Sequence, residues 1–349
     1  MMTNTLKSRL LLPDLLKGIA VVMMVQVHLT ELFALPAFYE STVGSLSLFM
    51  GGPPAAPVFM VVMGYFVARK AAPPLSLLMR GSKLIMLGLL LNIGLNFNLL
   101  IRFSQGKIIG IDPWTYVFGV DILFLAGISL MVFAGLKVLF KKKLIFWLTT
   151  LFITILASSQ LSLFVSENRL VLFIQSFFSG ITSWSYFPFF PWFSYPLAGY
   201  FFYLLSKKYN LAHFYNFLGI LWIVLVIALS VSFSFGLKTS INLSAYYHHE
   251  YLFVIWVIGF LMWWTISWYY LEKWIPDNLF FRYLRFCGKN VTVFYVIQWL
   301  LIGNIATEIY RTQTSMQYLV WLLIILVISS LMTYSYTKLK AVLSIKTKL

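Results

Sequence analysis

Asp14–His28 reads DLLKGIAVVMMVQVH, and this stretch decides how the rest of the chain is read. Ile, Val, Met and Leu dominate it, yet it carries an aspartate, a lysine and a histidine. Lys17 and His28 are eleven residues apart. At about 3.6 residues per turn they share one helix face, roughly 16 Å apart along the axis. Asp14 lies one turn before Lys17, and Glu31 one turn beyond His28, near the same stripe. A charge facing lipid costs ~2.5 kcal/mol or more, so inside a membrane this stripe must face protein or a watery cavity.

The composition says that the setting is a membrane. Of 349 residues, 61% are hydrophobic and 10% charged, against roughly 45–50% and 25% in globular proteins. Aromatic residues make up 19%, which suits interfacial aromatic belts. The fold class expected is an all-α polytopic membrane protein, one bundle over residues 1–349 with no separate soluble domain. Cys287 is the single cysteine, so no internal disulfide forms and cysteine usage does not set the redox compartment. A net charge of +16 would suit nucleic acid in a soluble chain; here its placement between apolar runs matters more, and no nucleic-acid partner is expected. Lys7 and Arg9 resemble the start of a signal peptide, but Asp14 and Lys17 interrupt the run that follows, so it reads as a retained first membrane helix.

Apolar runs of bilayer-spanning length fall at 12–35, 54–72, 84–102, 114–136, 144–165, 187–206, 213–236, 250–271, 288–308 and 316–337, ten in all. Residues 40–52 read as a short re-entrant or interfacial piece. Arg102, Lys107, Arg169, Lys238 and Arg311 fall on one side, Lys17 lies inside the first helix, and the remaining Lys and Arg of the 26 fall on the other side. That four-to-one bias places both termini in the cytoplasm. No inverted repeat of the transporter kind is visible.

Each polar residue has a bland reading beside a functional one. Lys17 snorkels to the headgroups paired with Asp14, or it holds an anion at the cytoplasmic mouth. His28 makes an interior hydrogen bond, or it is a general base oriented by Glu31. Asp121, Asn92 and Asn96 line a cavity or join helices by hydrogen bonds. Trp192 and Tyr195 belong to an aromatic belt or stack on an acceptor sugar. His248, His249 and Glu250 form an outer cluster of loop residues, and no metal site is expected. His213 looks unremarkable, and no P-loop or H-E-x-x-H is present.

At Lys17-x10-His28 the chain resembles a family. The spacing is similar to the Arg-x10-His signature of membrane acyltransferases of the acyltransferase-3 group, and to the D-x-x-R-G opening of the heparan-α-glucosaminide N-acetyltransferase-like group. PPAAPVFMVVMGYFVARK (53–70), FPFFPWFSYPLAGYFF (187–202) and RFCGKNVTVFYVIQWLL (285–301) resemble later helices of the same superfamily, in order along the chain. The chain departs from the pattern in having lysine for the signature arginine, Gln298 where a late histidine is common, and no histidine in the loop 36–53, where the lysosomal heparan branch carries one.

The resemblance implies a transmembrane acyltransferase. It would take an acyl group, acetyl above all, from cytoplasmic acyl-CoA to a sugar hydroxyl or amine outside. It implies His28 as the catalytic residue and Lys17 as a donor-phosphate contact, with Asp14, Arg69, Lys70, Arg80 and Lys83 around the donor. Asn92, Asn96 and Gln298 are candidates for the oxyanion. Acetyl-CoA is the donor substrate and no metal is implied. The partners expected are acyl-CoA, a carbohydrate or glycolipid acceptor and membrane lipids, with a homo-oligomer left open; the location is the bacterial inner membrane. A proton-coupled transporter or lipid-linked sugar flippase, relaying through Asp14, Lys17, His28, Glu31 and Asp121, is the alternative.

Overall fold

A computed structural model describes residues 10–140, 143–161, 165–180, 182–209, 215–275 and 277–346. Lys7, Arg9, Lys141, Lys142, His213 and Lys348 lie outside the described residues, as does the side chain of Lys346. Regular structure among the described residues is helical, with two isolated bridges, Ala34–Gln313 and Val120–Ser185. The chain runs through α1 (Leu11–Leu32), α2 (Pro36–Tyr39), α3 (Thr42–Gly51), α4 (Ala56–Lys70), α5 (Pro74–Leu95) and α6 (Phe97–Ser104). It continues through α7 (Pro113–Val117), α8 (Ile122–Phe140), α9 (Leu144–Leu161), α10 (Arg169–Phe178), α11 (Phe189–Trp192) and α12 (Ser194–Lys208). It ends with α13 (Tyr215–Ile241), α14 (Leu243–Tyr247), α15 (Tyr251–Trp274), α16 (Leu279–Lys289), α17 (Val291–Ile309) and α18 (Ser315–Lys346).

Among the described residues, eight stretches are long and apolar enough to cross a membrane: α1, α3 with α4, α5, α8, α13, α15, α17 and α18. The chain is an integral multi-pass membrane protein. The fifth and sixth expected spans are α9 and α12; α12 has 15 residues, and the proline-rich run before it breaks the helix at Phe190, whose backbone is extended. The expected re-entrant piece is the helix α3, which leads through buried Gly52–Ala55 into α4. The third span begins ten residues early, at Pro74, because proline suits the first helical turn. The fourth is split, so Asp121 does not lie within it but stands at the head of α8, where its Oδ1 accepts from the backbone N–H groups of Leu123 (2.9 Å) and Phe124 (3.2 Å).

Lipid is as apolar as leucine, so membrane helices are held by close packing, for which small residues matter. The crossing of α1 with α16 shows this. A Cβ on Gly18 would stand 1.8 Å from the Leu284 carbonyl oxygen, and one on Gly288 1.8 Å from that of Asp14. The α4–α12 crossing repeats it with Gly64 and Gly199. Helix α1 is central, packed against α3, α4, α15, α16, α17 and α18. Accordingly 67% of its most apolar window is buried, whereas none of that of α13 is.

Candidate functional site

Lys17, near the start of α1, forms an ion pair with Asp14 (Nζ–Oδ1 3.0 Å). Arg69 and Lys70 end α4, Arg80 and Lys83 lie early in α5, and Lys289 ends α16. All six cations line one cavity of about 810 Å³. Apart from Asp14, Thr292 and Tyr295, its walls are otherwise apolar, supplied chiefly by α4 (Phe59, Met63, Phe66) and α8 (Ile122, Leu123, Ala126). Arginine and lysine side chains converging on a pocket form a receptor for phosphate groups. The sequence reading reached five of the six; it missed Lys289, although that residue sits in the GKN run quoted above.

A second cavity, about 690 Å³, shares α1, α5 and α17 with the first and reaches Asp121 at the head of α8. Here α1 contributes Met24, His28 and Glu31, α5 contributes Asn92 and Leu95, and α17 contributes Tyr295, Trp299 and Gly303. Tyr116, Trp184, Tyr186, Tyr247 and Tyr310 complete a strongly aromatic lining that includes no lysine or arginine. His28 is buried at 7% exposure, and its ring lies against Trp299 with centroids 4.0 Å apart. Neither ring nitrogen has a hydrogen-bond partner among the described residues; Glu31 Oε2 lies 4.0 Å from Nδ1. A buried imidazole normally satisfies its nitrogens within the protein, so these are free for a molecule in the cavity. Trp299 was invisible as a site residue in the sequence, although Tyr295 and Trp299 stand four apart on one helix face.

The other sequence candidates fall into two groups. Asn92, Asn96 and Asp121 line the aromatic cavity. The Asn92 amide donates to the carbonyls of Val117 (3.0 Å) and Gly119 (2.8 Å), bracing the α7–α8 link, and that of Asn96 donates to the carbonyls of Asn92 (2.9 Å) and Tyr116 (3.4 Å), the last in α7. Trp192, Tyr195 and Gln298 are fully buried and line neither cavity. Trp192 donates to the Tyr247 carbonyl (2.8 Å), and the Tyr195 hydroxyl meets His249 Nε2 (2.8 Å). Both therefore belong to the core, not to an exposed belt. Gln298 has neither amide atom partnered and shares a face of α17 with buried Phe294 and Ile302.

His248 and His249 serve separate partners. His248 Nε2 meets the Ser185 carbonyl (2.8 Å), while His249 Nδ1 meets that of Tyr246 (2.6 Å). Burial pushes the His249 imidazole down to about 4. Among the described residues no three His, Cys, Asp or Glu are grouped to hold a metal ion.

The arrangement thus offers a cationic cavity and a polar-aromatic one, both lined by α1, α5 and α17, with an unengaged histidine in the second. No curated protein and no solved structure is matched by the chain. Of the two groups that the sequence resembles, one is matched by a family model: residues 9–228, from the start of α1 into α13, match the model described as heparan-alpha-glucosaminide N-acetyltransferase, catalytic. With well over half of its length inside that match, the chain belongs to the heparan-alpha-glucosaminide N-acetyltransferase family of membrane acetyltransferases.

Proposed function

We propose that this protein transfers an acetyl group from cytoplasmic acetyl-CoA to a sugar hydroxyl or amine on the far side of the membrane, with His28 as the catalytic base. One observation carries the reading: the cations line one cavity and His28 the other, and the two cavities share α1, α5 and α17. The donor's phosphates bind Lys17, Arg69, Lys70, Arg80, Lys83 and Lys289, and its pantetheine arm runs up the apolar wall toward His28. The cationic end is the cytoplasmic end, as the loop-charge bias supports, and a bacterial inner membrane is the setting.

In the reaction an acceptor O–H or N–H attacks the thioester carbonyl. The new C–O or C–N bond forms, the C–S bond breaks, and His28 takes the acceptor's proton and returns it to the departing thiolate. Glu31, 4.0 Å from Nδ1, favours the imidazolium that forms. The aromatic rings suit the faces of a sugar, and their lack of competing cations suits an uncharged or cationic acceptor.

The test is purified protein with acetyl-labelled acetyl-CoA and a panel of amino sugars, glycans and glycolipids. Native protein should release CoA and label one acceptor class, and His28→Ala should not. If native protein binds no acyl-CoA, the reading is wrong, and the Asp14–Glu31 stripe should be tested as a proton path.

A further inference from the structure

Among the described residues, Tyr295 is the one that lines both cavities. It projects from the second turn of α17, one turn from Thr292 in the cationic cavity and one turn from Trp299, whose ring lies against His28. The ring is 5% exposed. Its hydroxyl meets Asp121 Oδ2 at 3.4 Å, and the other oxygen of that carboxylate is fixed by two backbone N–H groups at the head of α8. Gly88 gives this carboxylate its room: a Cβ there would lie 3.3 Å from Asp121 Oδ1, Leu123 and Phe124.

From this geometry we propose that Tyr295, pinned by Asp121, is the partition between the donor and acceptor cavities and thereby sets the length of acyl group that can be transferred. The inference rests on the function proposed above. An acyl group tethered to phosphates at the cationic end must pass the edge of this ring to reach His28. A two-carbon acyl group needs little room beside it, while each added methylene must be placed against a ring whose hydroxyl is anchored. Tyr295 is a positioning and specificity residue; it takes no proton and forms no bond in the reaction. The same ring closes the donor cavity to water from the acceptor side, so the thioester is spent on acceptor and not on hydrolysis.

The experiment compares native protein, Tyr295→Phe and Tyr295→Ala with acetyl-, propionyl- and butyryl-CoA. Native kcat/KM should fall about tenfold or more per added methylene. In Tyr295→Ala the butyryl-to-acetyl ratio should rise at least ~10-fold, with acceptor-independent CoA release increased. Tyr295→Phe keeps the ring and loses only its anchor, and should raise the ratio about threefold. A readout free of catalysis accompanies this. In a Cys287→Ala background, Thr292→Cys reports the donor cavity and Thr307→Cys the acceptor cavity in oriented proteoliposomes. An impermeant thiol reagent applied from the His28 side should label Thr307→Cys in every background, but Thr292→Cys only when Tyr295 is Ala. Native transfer of acetyl with a length profile and labelling pattern unmoved by Tyr295→Ala overturns this inference alone. Native protein inert toward every acyl-CoA overturns the proposed function and this inference with it.

Discussion

The two cavities share α1, α5 and α17 and differ in almost everything else. The cationic one gathers side chains from helix ends: the start of α1, the end of α4, the start of α5 and the end of α16. Its partner gathers one histidine, two carboxylates, two asparagines and a shell of Tyr and Trp, with no cation. Helix ends can carry charge because headgroups and water are near, whereas interior turns tolerate only groups that a cavity or a partner satisfies. Position along the membrane normal thus sorts the chemistry. On the function proposed above, phosphate recognition falls at the helix ends and proton transfer in the interior.

The contrast can be broken most severely at its base. Gly18→Val puts a branched side chain where the Leu284 carbonyl lies 1.8 Å from a Cβ, so α1 and α16 must separate. Loss of folded, monodisperse protein is expected by size-exclusion chromatography; a folded variant with native donor affinity would show that the crossing does not build the cationic cavity.

Next in size is His28→Ala, which should lower kcat by about 10²–10⁴ while leaving donor affinity within a few-fold, because the six cations are untouched. A parallel loss of donor binding would mean that the two cavities are not functionally separate.

Arg80→Ala or Lys289→Ala should do the reverse. The KM for acetyl-CoA should rise roughly tenfold, at the cost of one charge-assisted contact, with kcat and the acceptor KM little changed. The effect should shrink at high salt as screening weakens what the native cation contributes. A change confined to the acceptor KM would reverse the assignment of the cavities.

The smallest effect comes from a histidine that lines neither cavity. His249 precedes α15 and is held near pKa 4, below its ordinary value of 6.5, chiefly by burial. The folded state therefore favours the neutral ring. Its contribution to stability is full above pH 6.5 and is lost as pH falls toward 4. At pH 5 the deficit is on the order of 2 kcal/mol, read as a Tm lower by a few degrees than at pH 7. His249→Gln should flatten that dependence without shifting the pH profile of catalysis, which a role for His249 in the reaction would alter.

Much of this was legible in the chain. The Asp14–Glu31 stripe faces cavities as the cost of charge in lipid requires, and Arg69, Lys70, Arg80 and Lys83 converge as helix-end cations do. Lys289 was missed because a lysine at a helix end is ordinary by composition, and only the neighbours of α16 make it part of a cluster. Trp192 and Tyr195 look from sequence like belt residues. Their burial depends on α14 and the following turn lying against them, through Tyr246, Tyr247 and His249, which apolar content cannot reveal. Asp121 was placed inside a span because hydropathy averages across the break at 118–121.

By itself the sequence determined a helical membrane bundle, the polar face of its first helix and the end where cations collect. These follow from local rules: apolar length, the 3.6-residue period and the cost of charge in lipid. Only the tertiary structure decided that α1, α5 and α17 line two cavities, that Tyr295 lines both and that neither His28 nitrogen has a hydrogen-bond partner among the described residues. Those depend on which helix faces meet, and that is settled by glycine contacts between segments hundreds of residues apart, such as Gly18 with Gly288.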